Sequence, residues 1–378
     1  ALVLVAVAVA VAVAAIIIAS PARPVYAHAA LVRSNPANGE KVVRPPVRVI
    51  LNFSEPIERR LTKIEVFGKD KERVDDGKIE FNDKDGTFAS IGLKDLNPGL
   101  YLVQFDNVST VDGHTWRGVF QFIVLNPDGT VPAGAEFDPE ATAGATTSLL
   151  PKPVDAALKW IALLALAVAA GAAFWVRAVA KPAAAFLDDD NYDNALAASE
   201  RWLVNLGHIL LPASFLAMAA LVLLTVSRFE TGTTLGTYLV SIRTGQHRLV
   251  FALSVALALA GCDLLYLASG RRLRAAGTLL MLAASLLGLL TFSLTSHGGV
   301  GTGAFWAVVA DFVHLLASAV WLGALAMLVP FLRWTRRALA APERFLYMAN
   351  VFDRFSVVAA LSVIAVLATG VFNGLAQI

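Results

Sequence analysis

The chain has 378 residues, of which 57% are hydrophobic and 16% charged, with a formal net charge of +2. A soluble domain is usually about 45–50% apolar and about 25% charged, so much of this chain has to face lipid, and so small a net charge argues against a nucleic-acid partner. The single cysteine, Cys262, excludes an intrachain disulfide and any cysteine-rich metal site. Met218, Met281, Met327 and Met348 are scattered, so there is no methionine-rich patch for a soft metal.

Residues 1–19 form an uninterrupted apolar run, followed by Val25-Tyr26-Ala27, which has the form of a signal-peptidase site. Cleavage after Ala27 would make His28 the N-terminal residue. The other reading of residues 1–27 is an uncleaved anchor, because about 20 apolar residues also span a bilayer. Residues 28–125 differ in kind. They carry many charges and the turn signals Asn35-Pro36, Asn38-Gly39, Asp85-Gly86 and Asn97-Pro98-Gly99. Alternating runs at 47–53, 63–67, 101–105 and 119–124 predict strands. Short strands at this spacing predict a small antiparallel β-sandwich, Ig-like or cupredoxin-like in its Greek-key path. Residues 126–154, rich at first in Gly, Pro, Ala and Thr, read as a linker.

From residue 155 onward, six apolar segments lie near 155–176, 203–226, 248–269, 275–294, 304–332 and 355–377. Each can cross the hydrocarbon core, which makes the chain multi-domain and predicts an all-α polytopic bundle of about six helices. Trp160, Trp175, Trp202, Trp306 and Trp334 fall near the predicted helix ends, as an interfacial aromatic belt would. Arg271, Arg272 and Arg274 share one loop, and Arg333, Arg336, Arg337 and Arg344 another, which places both loops on the cytoplasmic side. The expectation is a multi-pass protein of a bacterial-type plasma (inner) membrane, with residues 28–150 on the extracytoplasmic, periplasmic side.

Two places carry metal-binding chemistry. Side chains at i and i+2 share a face of an extended strand, so Asp112 and His114 in Val111-Asp112-Gly113-His114 can converge on one ion. Cleavage after Ala27 would add the free α-amine and the imidazole of His28. Two imidazoles, an amine and a carboxylate make a nitrogen-rich tetragonal set that suits Cu(II); a plain turn fits Asp112-Gly113-His114 equally. In the apolar half, ionisable residues are costly and usually face the bundle interior. His297 falls at the outer mouth. His314 lies about ten residues into its helix, roughly 15 Å deep, and Asp311 shares its face. There the carboxylate can orient the ring or share a proton. One reading is a copper path from His297 to His314 and on to His208; the other is interhelical hydrogen bonding. His247 lies at the outer edge of its helix, and Asp263 is intramembrane with no obvious partner in sequence.

The order of His28-Ala-Ala-Leu31, Ser34-Asn-Pro36-Ala-Asn-Gly39, Leu51-Asn-Phe53-Ser-Glu55-Pro56, Gly99-Leu-Tyr101 and Val108-Ser-Thr-Val-Asp112-Gly-His114 resembles the CopC family of extracytoplasmic copper-binding proteins over nearly all of residues 28–125. The resemblance implies a Cu(II) site made by the amine and imidazole of His28 with Asp112 and His114. It places Glu55 near the metal without ligating it. Ser296-His297-Gly-Gly, Asp311-Phe-Val-His314 through Trp321-Leu-Gly323, Arg354-Phe-Ser356 and Thr369-Gly370 resemble the CopD membrane family over roughly residues 155–378, ending short of that family's usual bundle. CopC–CopD fusions imply copper capture outside and passage to or across the membrane, in uptake, homeostasis or resistance. The implied partners are the copper ion, the lipid bilayer and other subunits of a membrane complex. Three readings compete: a bundle whose histidines ligate haem, an oxidative copper enzyme built on an N-terminal histidine, and an accessory subunit of a membrane redox complex. Asp112 opposes the enzyme, since its carboxylate would fill a position that oxygen activation needs open. The expectation is therefore a binding and transport protein and not an enzyme.

Overall fold

The computed structural model describes residues 29–69, 71–82, 85–110, 113, 115–137, 147–148, 153–227, 234–295 and 304–375. They fall into two compact units, one of Tyr26–Pro153 with Phe229–Thr244, the other built on Val154–Arg228 and Gly245–Ile378.

Among the described residues, the first unit is a sandwich of nine strands: β1 (Leu31–Asn35), β2 (Glu40–Val42), β3 (Arg48–Phe53), β4 (Lys63–Phe67), β5 (Asp75–Asn82), β6 (Phe88–Leu93), β7 (Gly99–Val108), β8 (Thr115–Val124) and β9 (Thr147–Ser148). One sheet runs β1-β3-β6-β5 and the other β2-β8-β7-β4, with β9 also paired to β8. The pairing is antiparallel except between β2 and β8, which run parallel with Glu40 opposite Phe122, so the expected antiparallel sandwich is mixed at that edge. Alternation supplies the core. Val49, Leu51 and Phe53 of β3, Ile64 and Val66 of β4, Val103 and Phe105 of β7, and Phe120 and Phe122 of β8 all point inward and are buried. Each such side chain contributes about 1.5–3 kcal/mol relative to exposure. Tyr101 stacks on Phe122 with centroids 5.3 Å apart. Its hydroxyl donates to the Asn97 carbonyl at 2.7 Å, a tyrosine corner of the kind sandwiches use at a strand entry.

The second unit contains α1 (Pro153–Trp175), a π turn (Val176–Ala180), α2 (Lys181–Ala184), α3 (Asp189–Ser227), α5 (Arg243–Leu267), α6 (Arg271–Leu294), α7 (Ala304–Ala338) and α8 (Ala341–Leu375); the short α4 (Leu235–Ser241) belongs to the first unit. Among the described residues, six helical spans are long and apolar enough to cross a bilayer. Lipid offers no hydrophobic drive between helices, so close packing of small residues substitutes for it. Gly171 of α1 lies against Gly323 and the Ala319 carbonyl of α7. A Cβ on Gly261 of α5 would stand 2.6 Å from the Met281 nitrogen of α6. The first crossing encloses Trp175, whose ring meets Phe331 at 6.1 Å and Phe355 at 5.8 Å. Trp175 is 0% exposed, while Trp160 and Trp306 are 60% and 67% exposed. Trp175 is therefore a packing residue and not part of an aromatic belt.

Two outcomes follow from these contacts. Replacing Gly171 by Val forces a branched side chain into the α7 backbone, so it is expected to cost at least about 3 kcal/mol, read as a lowered unfolding midpoint in detergent. In the sandwich, the Asp75 carboxylate is 3% exposed and accepts from Arg73 Nε, Val66 N and Gly77 N, each at 2.9 Å. Burial pushes this carboxyl up, but these hydrogen bonds and the Arg73 charge outweigh it and hold it below its ordinary value. Its contribution is thus complete above the unfolded pKa of about 3.9 and is lost as pH falls through the lower folded value. Asp75→Asn is expected to cost about 1.5–3 kcal/mol at neutral pH and to flatten the acid limb of the stability profile; an unchanged limb would count against the network.

Candidate metal centre

His28, Asp112 and His114, with His297 of the helical half, lie outside the described residues. Ala29, which follows His28, Gly113, which lies between Asp112 and His114, and Glu55 are described and belong to one hydrogen-bonded region of the sandwich. Ala29 is 1% exposed, and its carbonyl accepts the Asn107 side-chain N–H at 2.9 Å. Ala30 N donates to Ser54 Oγ at 3.0 Å, and Ser54 N donates back to the Ala30 carbonyl at 2.9 Å. The segment entering β1 is therefore clamped between the ends of β3 and β7.

Glu55 follows Ser54 and is 2% exposed; its Oε2 accepts the Ser109 hydroxyl at 2.6 Å. The Thr110 N–H and hydroxyl both donate to the Pro56 carbonyl, at 2.9 and 3.2 Å. Gly113 N donates to the Ser109 carbonyl at 3.1 Å. At Gly113 φ is +73°, a region glycine enters without strain. Residues 29–30, 54–56, 107–110 and 113 thus form one hydrogen-bonded patch, to which residues 28, 112 and 114 are covalently joined. Among the described residues, no three His, Cys, Asp or Glu side chains gather into a metal site.

Asn107 was not singled out by the motif reading, although a signal for it exists. Tyr101, Val103, Phe105 and Asn107 are the inward positions of β7, and a polar residue in an inward series has to serve some buried partner.

In the helical unit, His314 of α7 is half-buried, and its Nδ1 lies 3.0 Å from Thr369 Oγ1 of α8. Asp311 is half-buried one turn earlier; the hydrogen bond described at the ring is the one shared with Thr369. Asp263 of α5 does have a partner: its Oδ1 lies 2.8 Å from His208 Nε2 of α3, with the Tyr266 ring edge-on to the imidazole at 5.8 Å. His247 sits in the first turn of α5.

The CopC domain family matches residues 31–125. Over 101 residues the chain is 35% identical to Protein YobA of Escherichia coli (strain K12), a match covering 26% of this chain and 81% of that protein. The chain belongs to the CopC family. It is also 31% identical over 105 residues to Copper transport protein CutJ of Bacillus subtilis (strain 168), covering 28% of this chain and 19% of CutJ. The matched stretch therefore spans about a fifth of that relative. Among solved structures, CopC from Methylosinus trichosporium OB3b is 23% identical and covers 29% of this chain and 100% of that one, with a TM-score of 0.25. PcoC, a methionine-rich copper resistance protein from Escherichia coli, is 25% identical and covers 26% and 99%, with a TM-score of 0.23. Unlike a methionine-rich protein, this CopC domain has no methionine between residues 28 and 125.

The Asn107 clamp yields a direct expectation. Asn107→Ala leaves the buried Ala29 carbonyl without its donor, at a cost of about 1–3 kcal/mol. Chemical denaturation of the full chain should show that loss in the sandwich transition, and Asn107→Asp, which also removes the donor, should not restore it.

Proposed function

We propose that the CopC domain captures Cu(II) through the α-amine and imidazole of His28 with Asp112 and His114, and that the helical half passes copper inward by way of His297 and His314. The observation that carries this reading is the clamp on Ala29 and Ala30. It holds Ala29 and Ala30 in the same hydrogen-bonded patch as Gly113, which supports a site that draws its ligands from both chain segments. Glu55, buried in that patch, adds negative potential that favours a cation without needing to ligate it.

On this reading residues 1–27 are a signal segment or anchor, residues 28–125 the copper-binding domain and residues 126–154 a linker. Residues 155–378 form a CopD-like bundle in the plasma membrane, with residues 28–150 on the extracytoplasmic side. The protein is then a carrier of copper in uptake, homeostasis or resistance, and not an enzyme. Support for the membrane half is the set of six apolar spans and the placement of His314 inside α7.

The chemistry of the amine provides the test. A free α-amine has a pKa near 7.7–8.0, and copper can displace its proton at neutral pH. In a chain that continues before His28 the same nitrogen is an amide, its lone pair delocalised into the carbonyl. Protein beginning at His28 should bind one Cu(II) with a nitrogen-rich tetragonal EPR signal. Protein carrying one extra residue before His28, and the His114→Ala variant, should each bind at least about tenfold more weakly, a loss of about 1.4 kcal/mol or more, in titration against a competing chelator. Equal affinities would remove the amine, or His114, from the ligand set.

A further inference from the structure

His314 of α7 and Thr369 of α8 meet across the hairpin, with Nδ1 3.0 Å from Oγ1. The direction of that hydrogen bond is decided by the other contact of Thr369. Its hydroxyl lies 2.6 Å from the carbonyl oxygen of Ala365, one turn back on α8, with the Val366 carbonyl at 3.3 Å. Two oxygens this close repel unless a proton lies between them, so the hydroxyl proton points at Ala365, the back-bond threonine commonly makes in a helix. A hydroxyl has only one proton to give. With it committed to Ala365, Oγ1 offers His314 only lone pairs, so Nδ1 carries the hydrogen. In a neutral imidazole the other nitrogen is then bare.

We propose that Thr369 is a positioning residue: it locks neutral His314 as the Nδ1–H tautomer and leaves the Nε2 lone pair as the atom offered to a cation in the bundle. The identity of that cation as copper rests on the function proposed above; the tautomer does not. Two further features fit. Thr369 is 5% exposed, so solvent does not compete for its lone pairs. At Gly370 a Cβ would already stand 3.7 Å from His314 Cε1, so a longer side chain there would crowd the edge of the ring that leads to Nε2, which glycine leaves open. A bare imidazole nitrogen suits a transition-metal ion better than a hard alkali or alkaline-earth ion, which prefers oxygen.

The test uses the full chain in nanodiscs with 15N-labelled histidine, the His314 resonances being assigned by their loss in His314→Gln. At a pH where the ring is neutral, wild type and Thr369→Ser, which keeps the hydroxyl, should show a protonated Nδ1 and an unprotonated Nε2. Thr369→Val, of similar shape but without an acceptor, should lose that preference and populate both tautomers. An Nε2–H tautomer in wild type, or a Thr369→Val spectrum identical to wild type, would overturn the lock. The wild-type spectrum decides the tautomer even if Thr369→Val fails to fold. Ag(I), a closed-shell cation that binds bare imidazole nitrogen, is then titrated in as the probe. It should shift the bare Nε2 resonance of wild type and Thr369→Ser, and bind about tenfold more weakly to Thr369→Val. A correct tautomer with no Ag(I) shift would overturn the offer of Nε2 to a metal and the copper path with it, while leaving the lock in place.

Discussion

A backbone carbonyl buried away from water has to find a donor, and at Ala29 that donor is the side chain of Asn107. The rest of the proposed copper site depends on this bond. The start of a domain ordinarily frays unless something ties it down; here the paired hydrogen bonds between Ala30 and Ser54 add a second tie one residue further on. Because Ser54 precedes Glu55 and Asn107 precedes Ser109, the groups that anchor the entering chain are one or two residues from those that shape the site. A ligand supplied by a chain terminus costs entropy to position. In the proposed site, holding the two residues after His28 in place would remove part of that cost before any metal arrives.

The same rule governs the helices in a harsher solvent. With no water in the hydrocarbon core, polar side chains must be satisfied by other helices or by their own backbone. Ser214 of α3 donates to the Ala162 carbonyl of α1 at 2.7 Å, Arg248 of α5 donates to Thr225 of α3 at 2.7 Å, and His208 pairs with Asp263. Gly207 of α3, where a Cβ would stand 2.7 Å from Cys262 Sγ, lets α3 and α5 approach closely in the same region. Packing and polar satisfaction therefore act together, and the titratable residues of the bundle are placed by both.

Strands with clean alternation were readable in advance: β3, β4, β7 and β8 each show apolar residues at every second position. β5 was hidden because Asp75, Asp76 and Gly77 open it and its pairing with β6 shifts register between Asp75 and Ile79, which breaks the period of two. β2 has only three residues and pairs in parallel with a strand far along the chain, so nothing local announces it. The apolar spans were evident from length alone, whereas α4 lies between the segments read at 203–226 and 248–269 and carries no such signal. At the site, motif spacing pointed to His28, Asp112 and His114, and the inward phase of Asn107 was visible though unused. Thr369 was quoted only as part of a motif. Its pairing with His314, and that of Asp263 with His208, depend on which helices become neighbours, and a single sequence does not encode that at short range.

The α7–α8 hairpin carries one more consequence. Each helix has 35 residues, or about 52 Å at 1.5 Å per residue. The hydrocarbon core is about 30 Å thick. Even a 40° tilt leaves about 40 Å along the bilayer normal, so the end of the pair near Arg333, Arg336, Arg337 and Arg344 must project past the lipid tails. His314 lies about 24 residues from the end of α7, some 36 Å along the helix, and Thr369 is beside it on α8. Pro330 falls between that end and His314, where it removes a backbone hydrogen bond and so weakens the stretch of α7 that leads from the charged end to the histidine.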